Sequence, residues 1–298
     1  MARYLDSRAD LTFKRVFADH PDLLIDFLNA VMPLETTCFI VSLEYLPSEM
    51  LPDHEDRKYS IVDVRCKDNY GRQFIIEMQM FWHGAFMQRL VFNAGKAYIK
   101  QLDSGQDYSI LKPVYTLAIL NEKYDHKTER YYHHHQIINR ENTDEVIPGL
   151  EFVLVELPKF RPEKVSERKL MILWLRYLNE VNEKMTELPP ELKENEKIRR
   201  AAELCEQAAF TPEQLAAYER FWDMVRTNST LVNGYKQDGI KIGRAERQAE
   251  VEKLEADLKA KDALFVINSH KAGIPTETIS SITGLSIEQI EEIIKQHS

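Results

Sequence analysis

Residues 113–121, PVYTLAILN, form a nearly continuous apolar run of strand length. Such a strand is buried on both faces, so its sheet needs a packed layer on each side. The neighbouring segments fit that requirement. CFIVSLEYLP (38–47), YSIVDVRC (59–66) and QFIIEMQM (73–80) read as strands. KDNYGR, between the last two, offers Asp, Asn and Gly as turn formers, and predicts a β-hairpin. Residues 83–103 repeat Phe86, Leu90, Ala94 and Ala97 at helical spacing. Residues 131–139 and 151–160 add further strands. The first ~30 residues read as two helices broken at His20-Pro21-Asp22. Residues 1–160 thus predict an α/β fold with a mixed sheet flanked by helices.

From about residue 161 the composition shifts to Glu, Lys, Leu, Ala and Arg, and β-branched runs vanish. Residues 166–181 and 212–226 read as amphipathic helices, with ELPPELKENEK (187–197) as a polar connector. Residues 235–268 read as one long charged helix. Val251, Leu254 and Leu258 have coiled-coil spacing there for fewer than three heptads. The tail, KAGIPTETISSITGLSIEQIEEIIKQ, reads as two short helices around Gly284, with Ser286 as an N-cap. The expected organisation is a core at 1–160, a helical region at 161–232 and an all-helical extension at 233–298.

No apolar run approaches the ~20 residues needed to span a bilayer. Three widely spaced cysteines give neither a disulfide framework nor a metal knuckle. A reducing, cytoplasmic setting is expected. The net charge of −9 is an argument against a nucleic-acid partner, although a local basic groove is compatible with it.

The hairpin carries Asp63, Glu77 and Gln79 among residues suited to a core. Side chains alternate along a strand, so Glu77 and Gln79 share a face, and Asp63 approaches Glu77 if the register allows. Spacing alone favours a solvated hairpin face. The other reading is a carboxylate pair around a hard divalent cation such as Mg²⁺, which offsets the repulsion and the desolvation cost and equips the site to hydrolyse phosphodiesters.

Asp63, a turn and Glu77-x-Gln79 resemble the D…(D/E)-x-K hairpin of the PD-(D/E)XK nucleases, with Gln in the Lys place. DLTFKRVF, FIIEMQ, QRLVFNAGKAYIKQL, YTLAIL, VELPKF and AGIPTETISSITGLSIEQI, in that order across nearly the whole chain, resemble the transposase branch, the recombination-promoting nuclease (Rpn) family. The resemblance implies a restriction-endonuclease-like core and a metal-dependent DNA endonuclease supporting recombination or mobile-element movement. It makes Asp63 and Glu77 metal ligands, with Asp10 as a further ligand. Gln79 takes the place of the usual lysine, which leaves activation of the nucleophile to the cation. Lys14, Gln88 and Arg89 are candidate DNA contacts. The Pro of the family motif is absent, because Asp63 follows Val62.

A non-catalytic DNA- or protein-binding module that retains the nuclease fold is the alternative. An RNA substrate also stays open. His133–His135 read as exposed strand histidines without an acidic partner at ligand spacing. Lys159 is left between a structural role and a DNA-groove role. The last helix, SIEQIEEIIKQ, is acidic, which favours packing or homo-oligomerisation over base readout.

Overall fold

The computed structural model describes residues 4–35, 37–50, 60–61, 63–80, 84–161 and 169–297. Tyr59 and Val62 of the expected strand, and His83 at the start of the expected helix, lie outside them.

The chain opens with α1 (Asp10–Phe17) and α2 (Pro21–Val31), the latter carrying proline at its first position. Next come β1 (Leu43–Tyr45), β2 (Glu49–Met50), β3 (Ser60–Ile61), β4 (Val64–Asp68) and β5 (Gln73–Gln79), then α3 (Phe86–Ile99). The sheet is completed by β6 (Val114–Leu120), β7 (Tyr132–Ile138) and β8 (Val146–Glu156). Its order is β1-β4-β5-β6-β8-β7, with β5, β6 and β8 mutually parallel and the outer pairings antiparallel. β2 and β3 pair separately. The expected mixed sheet flanked by helices is the fold observed.

The apolar runs explain the layers. On β6, Val114, Ala118 and Leu120 face α3, where Phe86, Leu90, Ala94 and Ala97 cover them. Leu117 and Ile119 face the opposite layer with Phe74, Ile76, Val153 and Val155. That layer is built by α2 and α4 (Lys169–Glu180), and at its centre Phe17 stacks on Phe27 while the Trp174 ring meets both at an angle. The β4–β5 turn closes on Gly71 at φ +78°, a backbone state that disfavours side chains. Asp68 locks it, because its Oδ1 accepts from the Tyr70 and Arg72 amides and its Oδ2 pairs with the Arg72 guanidinium.

Several expectations need correction. The 38–47 strand shrinks to Leu43–Tyr45, and Phe39 and Val41 are exposed. The polar connector is largely helical: α5 (Pro190–Glu194) and α6 (Glu196–Glu203) bury Leu192, Ile198, Ala201 and Ala202. The helices expected at 212–226 and 235–268 are one, α7 (Pro212–Lys271), which runs through its glycines without a break.

Two compact units partition the chain, residues 1–227 and 228–298. In the second, α8 (Thr276–Thr283) and α9 (Ile287–Gln296) meet at left-handed Gly284, and Ser286 and Gln289 form a capping box. Val266, Ile279 and Ile290 form its small core. No described helix is long and apolar enough to cross a membrane. Cys38, Cys66 and Cys205 are free thiols, and burial pushes the Cys66 and Cys205 thiols up to about 12, which keeps them unreactive.

Candidate active site

The site forms where β4 leaves β5. Their pairing ends at Val64↔Ile76, and Asp63 sits at a bend just before β4 rather than inside a strand. Its Oδ2 accepts the Met78 amide at 2.6 Å. The carboxylate thus takes a backbone donor that the departing strand leaves behind. That bond fixes Asp63 beside Glu77, which points from β5 toward α3 and is 4% exposed.

α3 answers Glu77 with two side chains one turn apart. Arg89 Nη2 lies 3.1 Å from Glu77 Oε2 and 2.6 Å from Gln79 Oε1. Asn93 Nδ2 donates to Glu77 Oε1 at 3.1 Å. Asn93 is fully buried and was not among the sequence candidates. Its signal is an amide on the apolar face marked by Phe86, Leu90 and Ala97. Arg8 is a second addition: it grips Asp6 through two nitrogens and reaches Asn121 Oδ1, while the Asn121 amide donates to the Gln79 carbonyl.

Of the sequence candidates, Asp63, Glu77, Gln79 and Arg89 come together. Asp10 and Lys14 form a half-exposed ion pair at 2.7 Å on α1, and both charges are felt at Asp63. Gln88 is exposed on α3 and makes no hydrogen bond among the described residues.

Burial pushes the Asp63 carboxyl up to about 6; the Met78 amide and Lys14 oppose the rise, and the negative charges of Glu77 and Asp10 add to it. Burial also raises Glu77, against the pull of Arg89 and Asn93. Neither group is comfortable as a bare anion, which fits a hard cation. The donors, two carboxylates and an amide oxygen, are of the type Mg²⁺ takes. Asp63 Oδ1 accepts no hydrogen bond among the described residues. No group of three or more His, Cys, Asp or Glu among them is placed to hold a metal. The donor set therefore rests on the Asp63–Glu77 pair.

Two of the three histidines gain acidic partners from the neighbouring strand, contrary to expectation, while His134 is exposed as expected. His133 is largely buried, with Nε2 2.7 Å from Glu156 Oε1, and His134 contacts Glu151 at 2.8 Å. His135 is half-buried, and its Nε2 makes no hydrogen bond among the described residues. Lys159 proves structural: its side chain is 1% exposed and pairs with Glu156 at 2.8 Å.

A mixed sheet with helices on both faces, and one buried and one half-buried carboxylate at a splayed hairpin, is the architecture of a nuclease core of the PD-(D/E)XK type. The chain belongs to the PD-(D/E)XK nuclease family transposases, whose family model matches residues 7–231. No curated protein and no solved structure matches it.

Proposed function

We propose that this chain is a divalent-cation-dependent DNA endonuclease, with Asp63 and Glu77 holding the cation. One observation carries the reading: two carboxylates, Asp63 before β4 and Glu77 on β5, both pushed toward protonation by burial, are brought together where the two strands part. A cation held there, Mg²⁺ for preference, supplies Lewis-acid polarisation of the phosphodiester and an acidified water. Gln79 is neutral and takes no proton, so its amide orients groups in the site. Lys14 and Arg89 line the approach and contact phosphate, Gln88 flanks them, and Asp10 adds negative charge on the α1 side. The exposed stripe of Val251, Leu254 and Leu258 on α7 supports self-association through the C-terminal helices.

The test is nicking of supercoiled plasmid. Wild type is expected to nick in Mg²⁺ and to stop in EDTA, and Glu77→Ala is expected to lose about a thousandfold. Equal nicking by Glu77→Ala sinks the assignment. The Arg89–Glu77 contact favours one other reading, a binding module whose site is closed by its own arginine. That reading predicts DNA retention without cleavage, under every divalent cation tried.

A further inference from the structure

We propose that Arg89 is an internal counter-ion that the cation displaces from Glu77, and that Asn93 holds Glu77 in place through the exchange. The inference rests on the cation-site reading above and concerns what the site must give up to bind.

The two partners of Glu77 differ in every respect that matters for exchange. Asn93 is neutral and 0% exposed, so it has nowhere to go. The Arg89 side chain is 41% exposed against 6% for that of Glu77, so the guanidinium has a path to solvent and the carboxylate does not. Arg89 is held from one end, with its guanidinium 5.1 Å from the centre of the Phe86 ring. A single nitrogen, Nη2, makes both the Glu77 and Gln79 contacts, and Nε is buried without a partner among the described residues. A structural Arg–carboxylate pair is normally two-pronged and shorter, as Arg8–Asp6 is in this chain.

Charge makes the two cations alternatives. One guanidinium neutralises Glu77 and leaves Asp63 without an ion pair among the described residues, under only the more distant charge of Lys14. One divalent ion neutralises both carboxylates. With both present, a buried site carries excess positive charge, and like charges at contact distance repel. Nη2 bridges Glu77 Oε2 and Gln79 Oε1, two of the oxygens a hard cation would seek, so the guanidinium also fills the space. Once displaced, Arg89 stands on the rim of the site as a planar donor fork suited to phosphate. Cation binding and phosphate binding thereby become coupled, each favouring the other.

The test is calorimetric titration of the full chain with Mn²⁺, without nucleic acid, for wild type, Arg89→Gln and Arg89→Ala. Arg89→Gln keeps an amide donor for Glu77, and so covers the case in which Arg89→Ala fails to fold. Both variants are expected to bind the ion roughly tenfold tighter or more, because a competing charge is removed. Binding by the variants alone supports the proposal more strongly still. Unchanged or weaker binding in the variants, with wild type binding, overturns the displacement and leaves the cation site intact. No binding by any of the three overturns both.

Discussion

Asp63→Asn is expected to reduce Mg²⁺-dependent nicking about a thousandfold and to make the protein more stable at neutral pH. The two effects share one cause. In the unfolded chain an aspartate releases its proton at about 3.9, while burial pushes folded Asp63 up to about 6. Between those values the folded chain holds a proton that the unfolded chain has lost. The contribution of Asp63 to stability is therefore fully present below about 4 and lost as pH rises to about 6. At pH 7 the charge costs about 2–3 kcal/mol, since Asp63 is partly rather than wholly enclosed. Asparagine keeps an oxygen for the Met78 amide and carries no charge. Urea unfolding at pH 7 and pH 4 checks this: the variant should gain at pH 7 and match wild type at pH 4. A loss at pH 7, or an equal gain at both, contradicts the burial account. Saturating Mg²⁺ should narrow the gap by stabilising wild type alone.

The central sheet is legible in the sequence because β6 is a nearly unbroken apolar run, which only a strand covered on both faces tolerates, and β5 and the second half of β8 carry shorter apolar runs. Legibility fails where charge or punctuation masks burial. The Glu- and Lys-rich text around Leu192 and Ile198 hides two short helices whose apolar residues still reach the core. Pro148 and Gly149 hide the first half of β8, which begins at Val146. Glycines at 234, 239 and 243 lower helix propensity without breaking α7, because propensity is a weak prior over a 60-residue helix. Asp63, Glu77 and Gln79 can be singled out in one dimension, since they interrupt apolar strands. Their partners cannot be assigned that way. Arg89 and Asn93 meet Glu77 only because the β5–α3–β6 crossover lays α3 over the β5 face. His133 and His134 likewise gain acidic partners only through the β7–β8 register, which sets His133 opposite Leu154, two residues before Glu156.

Lys159→Met is expected to cost about 3–5 kcal/mol, the loss typical of breaking a buried ion pair from one side. Glu156 is fully buried. Its Oε1 takes Lys159 Nζ at 2.8 Å and His133 Nε2 at 2.7 Å, and its Oε2 takes the Tyr124 amide at 2.7 Å. Lys159 also donates to the Asp125 carbonyl. The pair therefore ties the segment after β6 to the end of β8. Methionine preserves most of the stem and removes the charge, leaving Glu156 with the His133 ring and the Tyr124 amide as its remaining partners. Glu156→Gln should be milder, because Gln still accepts from the Tyr124 amide and Lys159 Nζ keeps the Asp125 carbonyl as an acceptor. The double variant should be more stable than Lys159→Met alone, because it removes the stranded charge, and a double-mutant cycle in urea measures that coupling. Cleavage per folded molecule should persist in all three. Gln79 aligns with Leu120 and Leu120 with Glu156, which places the cluster two strands, or about 10 Å, from the candidate site. A cost below about 1 kcal/mol for Lys159→Met would mean that hydrogen bonds, not charge, hold the segment.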